Sequence, residues 1–569
     1  MSAPGPAFAR YRRHRPMPAT TLRLLGLGGS LLLAAAALLG GAWPDADLVA
    51  TPARILAAPF GGAVLSLWLV GTALQGYAWW SGRDRDPGVR WTLGTLALWS
   101  APFLFLPPVG SRDFFSYACQ GEMFRNGVSP YEYGVAAGAC TWLGTVSPIW
   151  RDTPAPYGPL FVLAAAGVTA AAGVIATGVI AIAGALTPAL VLFRLLALAG
   201  LLAVAAGLPV LARRCGVDPS RALWVALAGP LVGAHLIGGP HNDAVMLGLV
   251  VSGLALAARH PRRLPAVLAA GVLLGLAVAV KAVAVVVLPF AVLLCACPRR
   301  TMPSASPASP ASPGSPASPG SPGSPGSPGS PASPAPSGPI SSGLISSGRD
   351  GATVDWQRLI RSGLAVAVGA GAAFAGVTGA SGLGFGWIAG LAAGDTLIQF
   401  TSLPTAIGMT LTYLGEPFVP GFDAVPALRL IALAALAVTL VLLWVRALRD
   451  HAPARAALHG AGLALAAVVA FAPAIHPWYL TWPLAILAAT THRTKVIMGL
   501  AIMLSFSVLS DGSGLARFAK FPGAPLVTVV LLVLAGAWLK RRYARAAEPS
   551  TRVTVTSMTT RAGLGRGVR

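Results

Sequence analysis

The chain has 569 residues, of which 55% are hydrophobic and only 10% are charged, and its mean hydropathy is +0.70. Soluble domains carry roughly a quarter charged residues, so this composition excludes an ordinary water-soluble protein. The formal net charge is +23, but Lys and Arg cluster beside the ends of hydrophobic runs, as the positive-inside rule predicts. That placement argues against a nucleic-acid partner.

Apolar runs of about 17 to 25 residues recur from Leu22 to Leu539. Backbone groups in lipid must be satisfied internally, so these runs predict helices. We expect an all-α polytopic membrane protein with about 14 transmembrane helices and further helices in its outer-face loops. The predicted spans are 22–43, 57–80, 91–107, 188–212, 222–237, 243–259, 264–280, 282–297, 359–377, 426–447, 457–473, 477–491, 496–510 and 524–540.

The positive-inside rule orients these spans with both termini in the cytoplasm, which places the loop 108–157 on the outer side. Arg213 and Arg214 must then lie inside, and only an odd number of crossings between this loop and Arg213 satisfies that requirement. We therefore assign 158–185 to a re-entrant or surface-lying helix, since irregular membrane segments are tolerated where they line a cavity.

A Ser/Pro/Gly-rich tract divides the chain, because it is too polar and too rich in proline to bury a core. The predicted organisation has four parts. These are an N-terminal transmembrane catalytic module at 1–300 that includes the loop 108–157, a disordered cytoplasmic linker at 301–350, a C-terminal transmembrane module at 351–545, and a disordered basic tail at 546–569.

The loop 108–157 combines an acid with arginines and aromatic residues, and Asp113 follows the third predicted span by a few residues. A lone acid outside a helix is ordinarily a solvated cap, but its neighbours Arg112, Tyr117 and Gln120 are typical of a binding surface. The same loop holds Cys119 and Cys140, which a disulfide could join in an oxidising space. The sequence leaves that pairing open.

A second outer segment, GGPHNDA at 238–244, breaks the helical pattern and presents His241, Asn242 and Asp243. Such breaks often bring the backbone close to a ligand. The alternative is a tight turn in which Asn242 or Asp243 caps the next helix.

Two cations interrupt apolar stretches near the outer ends of spans, namely Arg194 and Lys281. Intramembrane charge is costly and therefore usually functional, and a phosphate would compensate both residues. The alternative is that they snorkel to the interface. His476 and Trp478, at the start of a later span, fit either an interfacial anchor or a ligand for a phosphate or sugar hydroxyl. No metal-ligand spacing is present, so we expect no metal and no cofactor.

In chain order, SRDFFSYACQGEMFRNGVSPYEYG, TPAPYGPLF, GGPHNDAVMLG, GLAVAVKAVAVVVLPF and HPWYLTWP resemble the polyprenol-phosphomannose-dependent α-1,6-mannosyltransferases of actinobacteria, which have the GT-C fold. The resemblance covers about residues 90 to 490. It implies an inverting transfer of mannose from polyprenyl-phosphate-mannose to a growing α-1,6-mannan or lipomannan-type glycolipid. It also implies a multi-pass protein of the plasma membrane with an extracytoplasmic active site and Asp113 as the catalytic base.

We expect the donor and the acceptor to be bound by polar and aromatic residues of these motifs: Arg112, Tyr117, Gln120, Tyr131, Tyr157, Arg194, His241, Asn242, Asp243, Lys281, His476 and Trp478. Three alternatives stay open. They are transfer of another lipid-linked sugar such as arabinose, transport or flipping of a lipid-linked sugar, and a scaffold for an envelope complex. Transporters often show repeated halves and midplane charges, and neither pattern is evident here.

Overall fold

The computed structural model describes residues 17–44, 52–179, 186–296, 355–392, 397–514 and 519–547. Within these ranges the regular elements are helices, as the sequence predicts. Their bounds are α1 Ala19–Gly40, α2 Pro52–Ala57, α3 Gly61–Gly82, α4 Val89–Ser100, α5 Asp113–Arg125, α6 Pro159–Val179, α7 Leu186–Arg214, α8 Pro219–Leu227, α9 Asp243–Arg259, α10 Leu264–Val280, α11 Leu288–Ala296, α12 Trp356–Ser381, α13 Trp387–Ala392, α14 Leu403–Gly415, α15 Val425–Leu448, α16 Pro453–Phe471, α17 Thr481–Thr490, α18 Lys495–Ser505 and α19 Lys520–Ala547.

Seven described helices are long and apolar enough to cross a membrane, and one bent pair raises the number to eight. The seven are α1, α6, α7, α12, α15, α16 and α19. The predicted span 57–80 forms α3, which has 22 residues but is not among the seven. Most other predicted spans form shorter helices, and α9 and α10 have the predicted bounds, 243–259 and 264–280. The all-helical membrane architecture is thus confirmed. The total of about 14 crossings stays a prediction.

The bent pair joins α8 to the π-helix Val232–Gly238 at an angle of 69°. Beyond it the chain passes through Gly239 and Pro240 into α9, and this passage lies against the segment that follows α4. The Val109 amide donates to the Gly238 carbonyl at 3.3 Å. A Cβ on Gly239 would stand 2.4 Å from the Val109 oxygen, so this approach of two backbones requires glycine.

Helix α6 occupies most of 158–185, the segment predicted to be re-entrant or surface-lying. It packs along α5, where Gly121 meets the backbone of Ala165. It begins beside the end of α10, because the Gly158 amide donates to the Val280 carbonyl at 3.1 Å. By length and composition α6 could also cross a membrane. Its placement relative to the bilayer stays a prediction.

Small residues bring the helices of the bundle close together, as is usual for membrane helices. Gly200 of α7 lies against Ala244 and Gly248 of α9, and Gly275 of α10 lies against Ala370 of α12. The second of these contacts joins the two predicted transmembrane modules. The predicted linker at 301–350 lies outside the described residues, as does the predicted tail from residue 548 onward.

Candidate active site

Asp113 is the first residue of α5, and several hydrogen bonds fix the segment that leads to it. The Arg194 guanidinium donates to the carbonyl oxygens of Leu104, Pro107 and Gly238 at 2.8 to 3.0 Å. The Ser111 hydroxyl accepts from the Asp113 amide at 3.0 Å. These bonds set both the start of α5 and its separation from the 238–242 turn.

The Asp113 carboxylate faces His241. Asp113 Oδ2 lies 3.5 Å from His241 Nε2, and the Asp113 side chain keeps 19% of its surface exposed. His241 Nδ1 lies 2.7 Å from the His235 carbonyl oxygen. A carbonyl can only accept, so Nδ1 carries a proton, while Nε2 has no hydrogen-bond partner among the described residues and lies at ion-pair distance from the Asp113 carboxylate. The His235 carbonyl in the π-helix therefore orients the His241 ring, and this ring faces the Asp113 carboxylate.

An aromatic ring organises three imidazoles beside Asp113. The Trp478 ring lies 4.1 Å from the His241 ring, 4.6 Å from the His476 ring and 5.1 Å from the His235 ring, measured between centroids. Trp478 is buried. One indole thus connects the 235–241 turn to the 476–480 segment, which are distant in sequence.

Asp243 and Lys281 form a buried ion pair at the same end of the bundle. Lys281 Nζ lies 2.9 and 3.0 Å from the two Asp243 carboxylate oxygens, and the Asp243 side chain has no exposed surface. The Trp482 indole also donates to Asp243 Oδ1. Lys281 additionally donates to Asn242 Oδ1 at 3.5 Å and lies over the Tyr479 ring at 5.0 Å. The pair locks α9, α10 and α17 together.

Several buried polar atoms around Asp113 have no hydrogen-bond partner among the described residues. They are Ser116 Oγ one turn along α5, His235 Nδ1, His241 Nε2 and Asn242 Nδ2. A buried polar atom without a partner costs free energy, and native proteins seldom leave one unused. Their concentration beside one carboxylate indicates a polar ligand.

Aromatic side chains of α5 and α6 form one wall of the site. Tyr117 is buried, and its ring lies 4.8 Å from the Phe161 ring and 5.2 Å from the Tyr157 ring. Burial raises the pKa of Tyr117 and of Tyr157 well above the usual 10, so both hydroxyls stay protonated at neutral pH. The Tyr131 hydroxyl donates to the Tyr157 carbonyl at 2.7 Å and so supports this wall.

The rest of the loop is tied to α5. Cys119 and Cys140 form a disulfide, which answers the question that the sequence left open. Next to it, the Thr141 hydroxyl donates to Glu122 at 2.6 Å. Arg112 Nη1 donates to the Trp43 and Thr145 carbonyls at 3.3 Å. Gln120 is buried on the same helix.

Nearby positive charge keeps the Asp113 carboxylate ionised. Burial acts to raise the pKa of Asp113, but the adjacent His241 imidazole and the positive charge of Lys281 hold that pKa below its ordinary value of 3.8. Burial lowers the pKa of His476 to about 4, so this imidazole is neutral at pH 7. His476 is therefore suited to hydrogen bonding and not to neutralising a phosphate.

Seven predicted residues come together at one end of the bundle, and we call them the site cluster: Asp113, His241, Asn242, Asp243, Lys281, His476 and Trp478. Three sequence interpretations differ from the structure. Arg194 is occupied by backbone carbonyls and is 2% exposed, so it supports the site and does not await a phosphate. Lys281 is already neutralised by Asp243. Asn242 precedes α9, but no side-chain hydrogen bond caps that helix.

Three further residues contribute to the candidate site, although the sequence patterns did not identify them as site residues. His235 supplies the carbonyl that orients His241, and Tyr479 and Trp482 surround Lys281. A signal existed for His235, because an imidazole inside the apolar run ALAGPLVGAHLIGG is unusual. Tyr479 and Trp482 belong to the residue types that anchor helices at the membrane interface. The sequence pattern alone could not separate such an anchor from a site residue.

The family models and relatives that match this chain are alpha-(1->6)-mannopyranosyltransferases, in agreement with the resemblance seen in the sequence motifs. A family model described as Alpha-(1->6)-mannopyranosyltransferase, N-terminal domain, matches residues 23–297, and one described as MptB C-terminal domain matches residues 404–539. Alpha-(1->6)-mannopyranosyltransferase A of Mycobacterium tuberculosis is 32% identical over 502 residues, which are 86% of this chain and 84% of the relative. Alpha-(1->6)-mannopyranosyltransferase B of Corynebacterium glutamicum is 26% identical over 92% of this chain and 82% of the relative. No solved structure matches.

Proposed function

The chain belongs to the alpha-(1->6)-mannopyranosyltransferase family, and we propose that it transfers mannose from polyprenyl-phosphate-mannose to a growing α-1,6-mannan or lipomannan-type glycolipid. The reaction takes place at the extracytoplasmic face of the plasma membrane and inverts the anomeric carbon of a β-linked donor. The observation that carries the proposal is the ionised Asp113 carboxylate, held by His241 among buried polar atoms that have no partner of their own.

Asp113 is the base of the proposed reaction. An acceptor hydroxyl attacks the anomeric carbon of mannose, a new carbon–oxygen bond forms, and the hydroxyl proton passes to the Asp113 carboxylate. His241 contacts Oδ2, which leaves Oδ1 for the incoming hydroxyl. Because the folded protein holds the pKa of Asp113 low, the base is ready at neutral pH.

The leaving group departs as a polyprenyl monophosphate that takes the electron pair of the broken carbon–oxygen bond. Positive charge and N–H donors fixed in a dry site stabilise such a group best. Arg112 is the cation that we assign to it, because it precedes Asp113 in the chain and its Nη2 atom is buried without a hydrogen-bond partner among the described residues, although Asp511 already acts on its charge. Lys281, already paired with Asp243, positions Asn242 and so acts indirectly.

The membrane setting suits a lipid-linked donor. Each buried methylene of a prenyl chain contributes roughly 0.8 kcal/mol to partitioning into the bilayer, so the donor concentrates where the apolar helices end. Tyr117 and Tyr157, with protonated hydroxyls, can donate to sugar or phosphate oxygens. The neutral His476 ring stacked on Trp478 offers a further hydrogen-bonding edge and a flat apolar face.

Replacing Asp113 with Asn tests the proposal. Mannose transfer from radiolabelled polyprenyl-phosphate-mannose should fall by about 10²- to 10⁴-fold, the usual contribution of a general base. The matched control is Asp152→Asn, which removes an exposed carboxylate from the same loop and should keep wild-type activity. Full activity of purified Asp113→Asn protein would overturn the assignment of the base.

The choice of sugar and linkage needs a second measurement. Purified wild-type protein is supplied in turn with lipid-phosphomannose and with lipid-phosphoarabinose, and the linkage of each product is analysed. We expect α-1,6-linked mannose only with the first donor. Transfer of arabinose instead would contradict the proposed donor. Movement of intact lipid-linked sugar across a vesicle membrane without transfer would instead identify a flippase.

A further inference from the structure

A second polar region lies at the opposite end of the same helices. Two neighbouring cavities, of about 500 and 430 Å³, share Asp450 and lie where α15 ends, α16 begins and α17 ends. The 19 residues of α16 span roughly 28 Å and separate these cavities from His476. We call the two cavities together the basic cavity.

Positive charge dominates the basic cavity. Its lining includes Arg446, Arg449, Arg455 and Arg493, against a single carboxylate, Asp450. Among the described residues no ion pair joins Asp450 to any of the four, and Asp450 Oδ1 accepts from the Ala452 amide at 2.8 Å. The four arginines therefore face one carboxylate, which leaves a net positive charge on the lining.

The floor of the cavity is polar and ordered by hydrogen bonds. Arg455 Nε donates to the Thr490 carbonyl at 3.1 Å, and His459 Nδ1 lies 3.1 Å from the Thr490 hydroxyl. The Arg455 bond uses one of the five N–H donors of its guanidinium. Ala452 and Ala456, at the start of α16, also line the cavity. The positive end of that helix dipole therefore adds to the field of the arginines.

One side of the basic cavity is open to lipid. Only 6% of the most apolar stretch of α15 is buried inside the protein, so this helix presents its hydrophobic surface to the bilayer. Leu442 and Val445 of this helix line the same cavity as Arg446 and Arg449. A ligand here meets hydrocarbon on one side and guanidinium groups on the other.

We propose that the basic cavity binds the phosphate headgroup of an anionic phospholipid, on the membrane face opposite the site cluster. The acyl chains lie along the exposed side of α15, and the phosphate contacts Arg455 and Arg493. The positive-inside rule accounts for arginines at helix ends. It does not require Arg455 and Arg493 to line a threonine-containing cavity next to a second cavity lined by Arg446 and Arg449, whereas a bound phosphate favours this arrangement.

Lipid binding to the purified full-length protein tests the site. Native mass spectrometry in detergent should show retained phosphatidylglycerol on the wild-type protein and little retained phosphatidylcholine with the same acyl chains. Arg455→Gln/Arg493→Gln should weaken phosphatidylglycerol binding by about 30-fold. This change corresponds to the summed free energy that two basic residues contribute next to an anionic headgroup. Inorganic phosphate alone should not compete at equal concentration.

The matched control removes two other arginines. Arg541→Gln/Arg542→Gln deletes the same charge from the exposed end of α19, outside the basic cavity, and should change binding by less than about threefold. Equal losses of phosphatidylglycerol binding in the two double variants would contradict a specific site. They would show that positive charge anywhere on this surface attracts anionic lipid. Equal binding of both lipids would overturn the proposal, and so would full competition by phosphate. If the double variant does not fold, Arg493→Gln alone is compared with Arg542→Gln.

Discussion

The two polar regions of this molecule use charge in opposite ways. In the site cluster, acids lie next to bases: Asp243 is buried and paired with Lys281, and the partly exposed Asp113 lies 3.5 Å from His241. In the basic cavity, arginines gather around one carboxylate with no ion pair to it among the described residues. Internal pairing fixes geometry, which proton transfer needs. Unpaired charge leaves attraction available for an external ion.

The largest stability effect should come from breaking the buried pair. Asp243→Asn leaves Lys281 buried without a counter-charge, which costs about 3–5 kcal/mol. Thermal melting of the purified protein should show a clear fall in the melting temperature. The double variant Asp243→Leu/Lys281→Met removes both charges and should recover most of that loss. A single variant that melts like wild type would show that the pairing is not what holds this end of the bundle.

A covalent tie also distinguishes the site region, because Cys119–Cys140 anchors the loop to α5. Cys119→Ser/Cys140→Ser should lower the free energy of unfolding by about 2–4 kcal/mol, as expected for a loop of this size. Melting with and without reductant measures the effect. Reductant should destabilise the wild-type protein and leave the double variant unchanged. Sensitivity of the double variant to reductant would point to another thiol.

The link between His241 and Asp113 predicts a shift in pH dependence. A carboxyl with a lowered pKa acts as a base above that pKa and loses this function as pH falls through it. The midpoint of any loss of wild-type transfer that comes from protonation of Asp113 should therefore lie below pH 3.8, the ordinary pKa of this group. His241→Gln removes the imidazole next to Asp113 and leaves burial, which raises the pKa of Asp113 and moves the acidic limb of the pH–rate profile upward.

The control for this experiment is His260→Gln, which changes an imidazole at the other end of α9. Its pH–rate profile should overlay that of the wild-type protein. Overlap of the His241→Gln and wild-type profiles would remove His241 from its positioning role. A uniform loss of activity without any shift of the acidic limb would make His241 a purely structural residue.

The smallest effect should come from the basic cavity. Arg493→Gln removes an exposed charge that has no ion pair among the described residues, and surface substitutions of this kind rarely change stability. The melting temperature without added lipid should stay at the wild-type value. A large fall would show that Arg493 holds the fold together, and the contrast between the two regions would fail.

Sequence patterns predicted a large part of the site. Asp113, the 241–243 turn, Lys281 and the 476–478 segment were all identified because polar residues in an apolar chain are conspicuous. The roles of Arg194 and Lys281 could not be predicted, because a cation near a helix end fits equally a phosphate, a carbonyl or a carboxylate. Only the positions of the partners decide among these, and those partners lie on other helices.

The sequence by itself determined the all-helical membrane architecture, the bounds of helices such as α9 and α10, and the motifs that contribute to the candidate site. Hydrophobic length and the demands of backbone groups in lipid act locally, so they can be recognised in a linear chain. The tertiary structure decided that Asp113 meets His241, that Asp243 neutralises Lys281, and that four arginines share one cavity. Those contacts depend on how distant helices pack, which no local pattern records.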